Sequence, residues 1–146
     1  MNLVSRGWCV LVIAATACGS GDVIEIHRGN ALLVSFDVEV AQTAVERERG
    51  LRGHAPLASG FGLLIRFPRS TEACIENAGV NFPIDVIYAD EAGMVVAIER
   101  EVAANDYRLR CYLGVRSVLE VGEHAALAVR LGDLLDLSRV RTIPID

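Results

Sequence analysis

Two carboxylates stand where carboxylates are costly. Asp85 follows Phe82-Pro83-Ile84 at the head of an apolar run, and Glu120 interrupts Ser117-Val118-Leu119-Glu120-Val121. Both runs read as buried strands, and an acid there is expensive unless it is paired or hydrogen-bonded. Each therefore has two readings. In the functional one, Asp85 and Glu120 line a shared cleft for a polar ligand or cation; working as acid and base they would serve a hydrolase-like reaction, given burial that raises one of their pKa values. In the structural one, Asp85 accepts from backbone amides or pairs with an arginine such as Arg116, and Glu120 is a solvated or salt-bridged strand residue. Asn77 and Asn81 flank Gly79 and either offer amides to the same ligand or serve turn geometry. Asp133, directly after Gly132, reads as a turn residue.

Other chemistries have less behind them. His27, His54 and His124 show neither His-x-His nor His-x-x-x-His spacing, so no metal site is expected. No Gly-x-Ser-x-Gly is present, and no Ser or Cys sits in an activating context. No catalytic residue and no cofactor is assigned. All 14 basic residues are arginine, which removes Schiff-base chemistry and a phosphate-binding loop ending in Gly-Lys-Ser/Thr. With 19 acidic residues the formal charge is −5, opposite to what a nucleic-acid partner requires. Arg47, Arg49, Arg52 and His54 cluster, but Glu46 and Glu48 lie among them; a solvated helix face and an anion site both fit.

Residues 1–17 read as an export signal, with Arg6 as the basic start and Trp8–Ala17 as the apolar core. Ten helical residues span about 15 Å, half of a hydrocarbon core of roughly 30 Å. Ala15-Thr16-Ala17-Cys18 serves either as a secretory cleavage site or as a lipobox whose Cys18 becomes a lipidated N-terminus. Cysteine arithmetic favours the lipobox. Of Cys9, Cys18, Cys74 and Cys111, the first leaves with the signal and lipidation consumes the second. Cys74 and Cys111 then remain to pair in an oxidising compartment; a Cys-His site with His54 is the less economical alternative. Residues 18–22 form the lipidated cysteine and a flexible tether. The expected address is the bacterial cell envelope, with the membrane as partner through lipid on Cys18.

These residues need elements to position them. Val34, Phe36, Val38 and Val40 alternate with polar residues, the pattern of a half-buried strand. Val23–His27 is a shorter strand, joined through Gly29-Asn30. Thr43-Ala-Val-Glu46 is a capping box, and Gly50 is placed to stop its helix. Residues 62–67, 84–89, 94–99, 116–121 and 134–137 read as further strands, with a turn at Asp90–Gly93. Gly122–Leu131 reads as a second short helix ending at Gly132. The expectation for residues 23–146 is one α+β, β-rich domain: a small mixed sheet or partly closed barrel with two short peripheral helices.

The order of these segments resembles a known family. VEVAQTAVERERGLRG (residues 38–53), GLLIRFP (62–68), FPIDVIYADEAGMVVAIE (82–99), SVLEV (117–121) and LGD (131–133) are similar to the bacterial and archaeal family catalogued as domain of unknown function 192. The resemblance implies a compact β-rich domain, often exported, and no particular reaction. This chain departs from the family's usual residues at Glu76-Asn77-Ala78-Gly79, at Val121-Gly122-Glu123, and at Arg52 and His54. A pocket built on those positions would carry altered chemistry. The leading expectation is a non-enzymatic, membrane-tethered envelope domain that binds a small ligand or an envelope partner near Asp85 and Glu120. The alternatives are a hydrolase-like enzyme using those carboxylates, and a purely structural envelope lipoprotein.

Overall fold

The computed structural model describes residues 21–141; the expected export signal and Cys18 lie outside the described residues. Seven strands and one helix follow in the order β1 (Asp22–Arg28), β2 (Ala31–Ala41), α1 (Ala44–Arg49), β3 (Phe61–Ile75), β4 (Ile84–Ala89), β5 (Val95–Val102), β6 (Arg110–Gly122) and β7 (Leu134–Asp136). Asp22, expected in the tether, already pairs with Val38 as the first residue of β1. All strands share one sheet in the order β5-β4-β6-β3-β2-β1-β7. The β2–β3 pair is parallel, because α1 carries the chain back over the sheet between them; every other pair is antiparallel.

The sheet curls until its two edges meet. Met94 bridges Leu134, and the amides of Val95 and Leu135 donate to Asp133 O and Gly93 O, both at 2.8 Å. Gly93 is required there: a Cβ at this position would lie 2.6 Å from Leu135 O. Pairing the edges removes the open strand ends that invite aggregation.

Strand alternation sends side chains to two cores. Inside the curl lie Ile24, Ile26, Phe36, Leu64, Ile87, Leu119 and Val121. On the outer face Ile65, Ile84, Val86, Tyr88 and Val118 pack under Leu51, Val80 and Phe82. Each fully buried aliphatic side chain contributes about 1.5–3 kcal/mol relative to exposure.

The helix expected at 122–131 is not formed. Residues 123–128 are a run of turns with i+3 bonds, Ala125 N–H to Gly122 O and Val129 N–H to Ala126 O, both at 3.0 Å. His124 adopts φ 67°, outside the helical region. Side chains from the sheet satisfy the backbone instead: Asp85 accepts from Ala126 N, and Arg100 donates to Ala126 O and Val129 O. The segment is a plug that buries Ala126 and Val129 in the inner core, and its tertiary bonds outweigh the helical ladder.

β3 and β6 run well beyond their expected bounds. β3 continues past Pro68 to Ile75, leaving register with β6 between Arg66 and Thr71; a strand proline is tolerated where the ladder is already broken. Beyond this irregularity β3 pairs again with the start of β6, which sets Cys74 opposite Cys111.

Candidate functional site

A cleft of about 550 Å³ opens between α1 and the segment that follows β3. The local sequence builds its upper wall. Thr43 Oγ1 accepts from Glu46 N at 3.2 Å while Glu46 Oε2 accepts from Thr43 N at 2.9 Å, the reciprocal cap read from the sequence. Those backbone bonds hold the Glu46 carboxylate below its ordinary pKa. The helix ends at Gly50, φ 51°, whose amide donates to Glu46 O at 3.0 Å. The turn delivers Leu51 to the outer core and Arg52 to the cleft.

Arg52 ties the two walls together. Its Nε donates to Ala78 O at 2.9 Å, Nη1 donates to Glu48 O, and Nη2 pairs with Glu76 Oε1 at 2.9 Å. Its stem lies against Gly79, where a Cβ would stand 3.5 Å from Arg52 Cδ. Arg47 donates to Gln42 O and Arg66 O and stacks on Phe67, 5.8 Å from the ring centre. Arg49 uses only Nε within the protein, on Arg52 O at 3.3 Å; among the described residues its Nη atoms have no protein acceptor.

Glu120 closes the cleft from below. It is 4% exposed, and its Oε2 is buried without a hydrogen-bond partner among the described residues. A Cβ on Gly50 would stand 3.9 Å from that oxygen, so the helix stop lies directly over the carboxylate. Burial pushes the Glu120 pKa up to about 7, with Arg52 opposing the rise. Asn77 lines the same cleft at 1% exposure. Its Nδ2 donates to Phe82 O and Ala103 O, both at 2.9 Å, and its Oδ1 is a second buried acceptor without a partner among the described residues.

The structure thus joins Glu120 with Asn77 and parts them from Asp85 and Asn81. Glu120 is paired with Val86 across the β4–β6 ladder, and Asp85 with Val121. Directly opposed residues share a face and neighbours along a strand do not, so the two carboxylates lie on opposite faces of the sheet. The acid–base pair is thereby lost. Fully buried Asp85 accepts from Glu101 N at 2.9 Å and Ala126 N at 3.3 Å, the amide-acceptor role. Arg116, the suggested partner, faces Glu91 at 3.7 Å. Asn81 is exposed and accepts from Asn105 Nδ2 at 3.2 Å.

Asp85→Asn is expected to cost about 2 kcal/mol, since one amide then faces a side-chain NH₂ instead of an acceptor. Urea unfolding measures the loss, and faster hydrogen exchange at Ala126 would locate it in the plug. Unchanged stability would contradict the assignment.

The remaining candidates are placed as follows. Cys74 and Cys111 are bonded at an S–S distance of 2.09 Å, both exposed, with Cys74 on the cleft wall. His54 lies against Glu39 at 3.0 Å, apart from both cysteines' chemistry. Asp133 is more than a turn residue: it is 3% exposed and receives Arg28 Nε and Nη2 at 2.8 and 2.9 Å, plus Arg130 N at 2.7 Å. The Arg28 bonds lower its pKa. Glu25, His27 and Asp136 bring one potential metal ligand each to within 4.8 Å, with Glu25 also held by Arg139 at 2.9 Å. The Arg52–Glu76 tie carries no local signal, because the two residues are far apart in sequence and meet only through the crossover.

The fold is shared with solved proteins. A protein of unknown function from Novosphingobium aromaticivorans DSM 12444 is similar with a TM-score of 0.73 at 20% identity, over 78% of this chain and 83% of that one. A candidate transcription regulator from Sinorhizobium meliloti 1021 is similar with a TM-score of 0.75 at 20% identity, over 81% and 94%. At such identity the likeness shows the fold alone. No curated protein matches the chain. The sequence of residues 23–137 matches the model of a family described as "Uncharacterized ACR". The chain belongs to that family, DUF192.

Proposed function

We propose that this chain is a lipid-anchored envelope domain that binds a small polar ligand in the cleft beneath α1. One observation carries the binding reading: a carboxylate, Glu120, buried at the base of a cleft with an oxygen that no described residue satisfies. An orphan acceptor of this kind weakens the fold by its desolvation, and a ligand donor entering the cleft would offset that cost. The cleft volume lies within the range of small-molecule sites. The hydrolase-like alternative needed Asp85 and Glu120 together, and the sheet separates them. A purely structural role leaves the orphan acceptors without a use.

Thermal-shift screening of the full chain against polar metabolites tests the reading. Compounds that raise the wild-type midpoint and leave Glu120→Gln unmoved would support it. Compounds that shift both proteins equally, or no response from any compound, would refute it.

The anchor is supported by Ala15-Thr16-Ala17-Cys18 and by a disulfide suited to an oxidising compartment. Two or more acyl chains on Cys18 would hold the domain stably at a membrane. Cys18→Ala is expected to move the protein from the membrane to the soluble fraction of expressing cells; unchanged fractionation would sink the lipoprotein reading.

A further inference from the structure

The geometry points to a zwitterion of the α-amino-acid class as the ligand of the Glu120 cleft. This rests on the reading of that cleft as a ligand site and adds to it the chemistry of the occupant. Two features converge. At the base, Glu120 Oε2 and Asn77 Oδ1 are both acceptors, both buried and both without a partner among the described residues. Their complement is a group rich in donors, and a primary ammonium supplies three along with the charge that a buried carboxylate lacks.

At the rim stands the opposite preference. Arg47, Arg49 and Arg52 line the cleft beside Glu48 and Glu76, so an entering ligand meets cationic groups as well as acids. Arg47 and Arg52 are occupied by carbonyls and Glu76, whereas the Nη atoms of Arg49 remain for an incoming carboxylate. A guanidinium fork matches that group in shape and charge.

The rest of the lining is mixed: Leu51, Ile65, Ile75 and Val80 border the cleft but are core residues at most 9% exposed, so the surface open to a ligand is mainly polar. Ammonium at Glu120 and Asn77 and carboxylate at Arg49 together describe one molecule. Glu48 and Glu76, the other acids of the lining, do not compete for the ammonium at the base: Glu76 is paired to Arg52, and Glu48 is exposed at the helix surface.

Calorimetric titration of the full chain at pH 8 with L-leucine, isopentylamine and 4-methylpentanoate tests this. The three share a hydrocarbon and differ in charge. L-Leucine is expected to bind at least about tenfold tighter than either single-charge analogue, one good charge-assisted contact being worth that much. Glu120→Gln should weaken L-leucine about tenfold and leave 4-methylpentanoate unchanged. Arg49→Gln should weaken L-leucine and 4-methylpentanoate and leave isopentylamine unchanged, and its surface position guards against misfolding. Equal affinity for L-leucine and either analogue, or an Arg49→Gln variant with wild-type affinities, would overturn the zwitterion. If the metabolite screen yields a compound that requires Glu120 while L-leucine fails to bind, the inference falls and the ligand site stands; if no compound binds, both fall.

Discussion

Glu120→Gln is expected to make the protein more stable at pH 8, by roughly 3 kcal/mol, and to leave it nearly unchanged at pH 4. The cause is the burial of the carboxylate, which moves its pKa from the ordinary 4.5 to about 7. Between those values the folded protein holds a proton that the unfolded chain has released, so wild-type stability falls as pH rises through the window. At about 1.4 kcal/mol per pH unit the loss reaches roughly 3 kcal/mol above pH 7. Glutamine keeps the shape without the ionisation. Among the charged residues of the cleft, Arg52 favours the carboxylate and opposes the rise; Arg47, Arg49, Glu48 and Glu76 share the lining. Urea unfolding of both proteins from pH 4 to 9 checks the prediction. A difference that stays constant across that range, or a wild type more stable at pH 8, would contradict the assigned burial. A residue that weakens its own fold at neutral pH suits a site whose partner arrives from outside.

Loss of the Cys74–Cys111 bond is expected to cost about 3.8 kcal/mol in the chain-entropy account. The bond joins residues separated by 37 positions, and the loop it closes contains the whole of β4 and β5. Without it the unfolded chain recovers the freedom of that loop, while the folded ladder between β3 and β6 persists. For a domain of this size, at about 4 °C per kcal/mol, the midpoint of thermal unfolding should fall by about 15 °C. Comparing the wild type with the Cys74→Ser/Cys111→Ser double variant, each with and without reductant, isolates the effect. Equal midpoints for the oxidised wild type and the variant would count against it.

Much of the architecture was legible as local pattern. The alternation in β2, the apolar run of β4 and the reciprocal cap of α1 each depend on residues within one turn or one strand, so chemistry and spacing suffice. The plug at 123–128 shows where that reasoning fails. Its three alanines and one leucine favour a helix, yet Asp85 and Arg100, both distant in sequence, bind backbone groups of the plug and of Val129 beside it in turns. The start of β6 was hidden for a similar reason: Arg110–Val115 becomes strand because β3 resumes pairing beyond Pro68.

For the site, sequence alone determined which residues are unusual. An acid in an apolar strand is conspicuous without coordinates, and Asp85 and Glu120 were both marked by that rule, as Asn77 was by its turn context. Tertiary structure alone decided what each of them does. The β4–β6 register places Val86 and Val121 opposite Glu120 and Asp85, so the two acids point to opposite faces. One finds backbone amides in the inner core; the other lies at the base of a cleft with no hydrogen-bond partner for its Oε2 among the described residues. Composition cannot carry that distinction, because a shift of one residue in register would exchange the two faces.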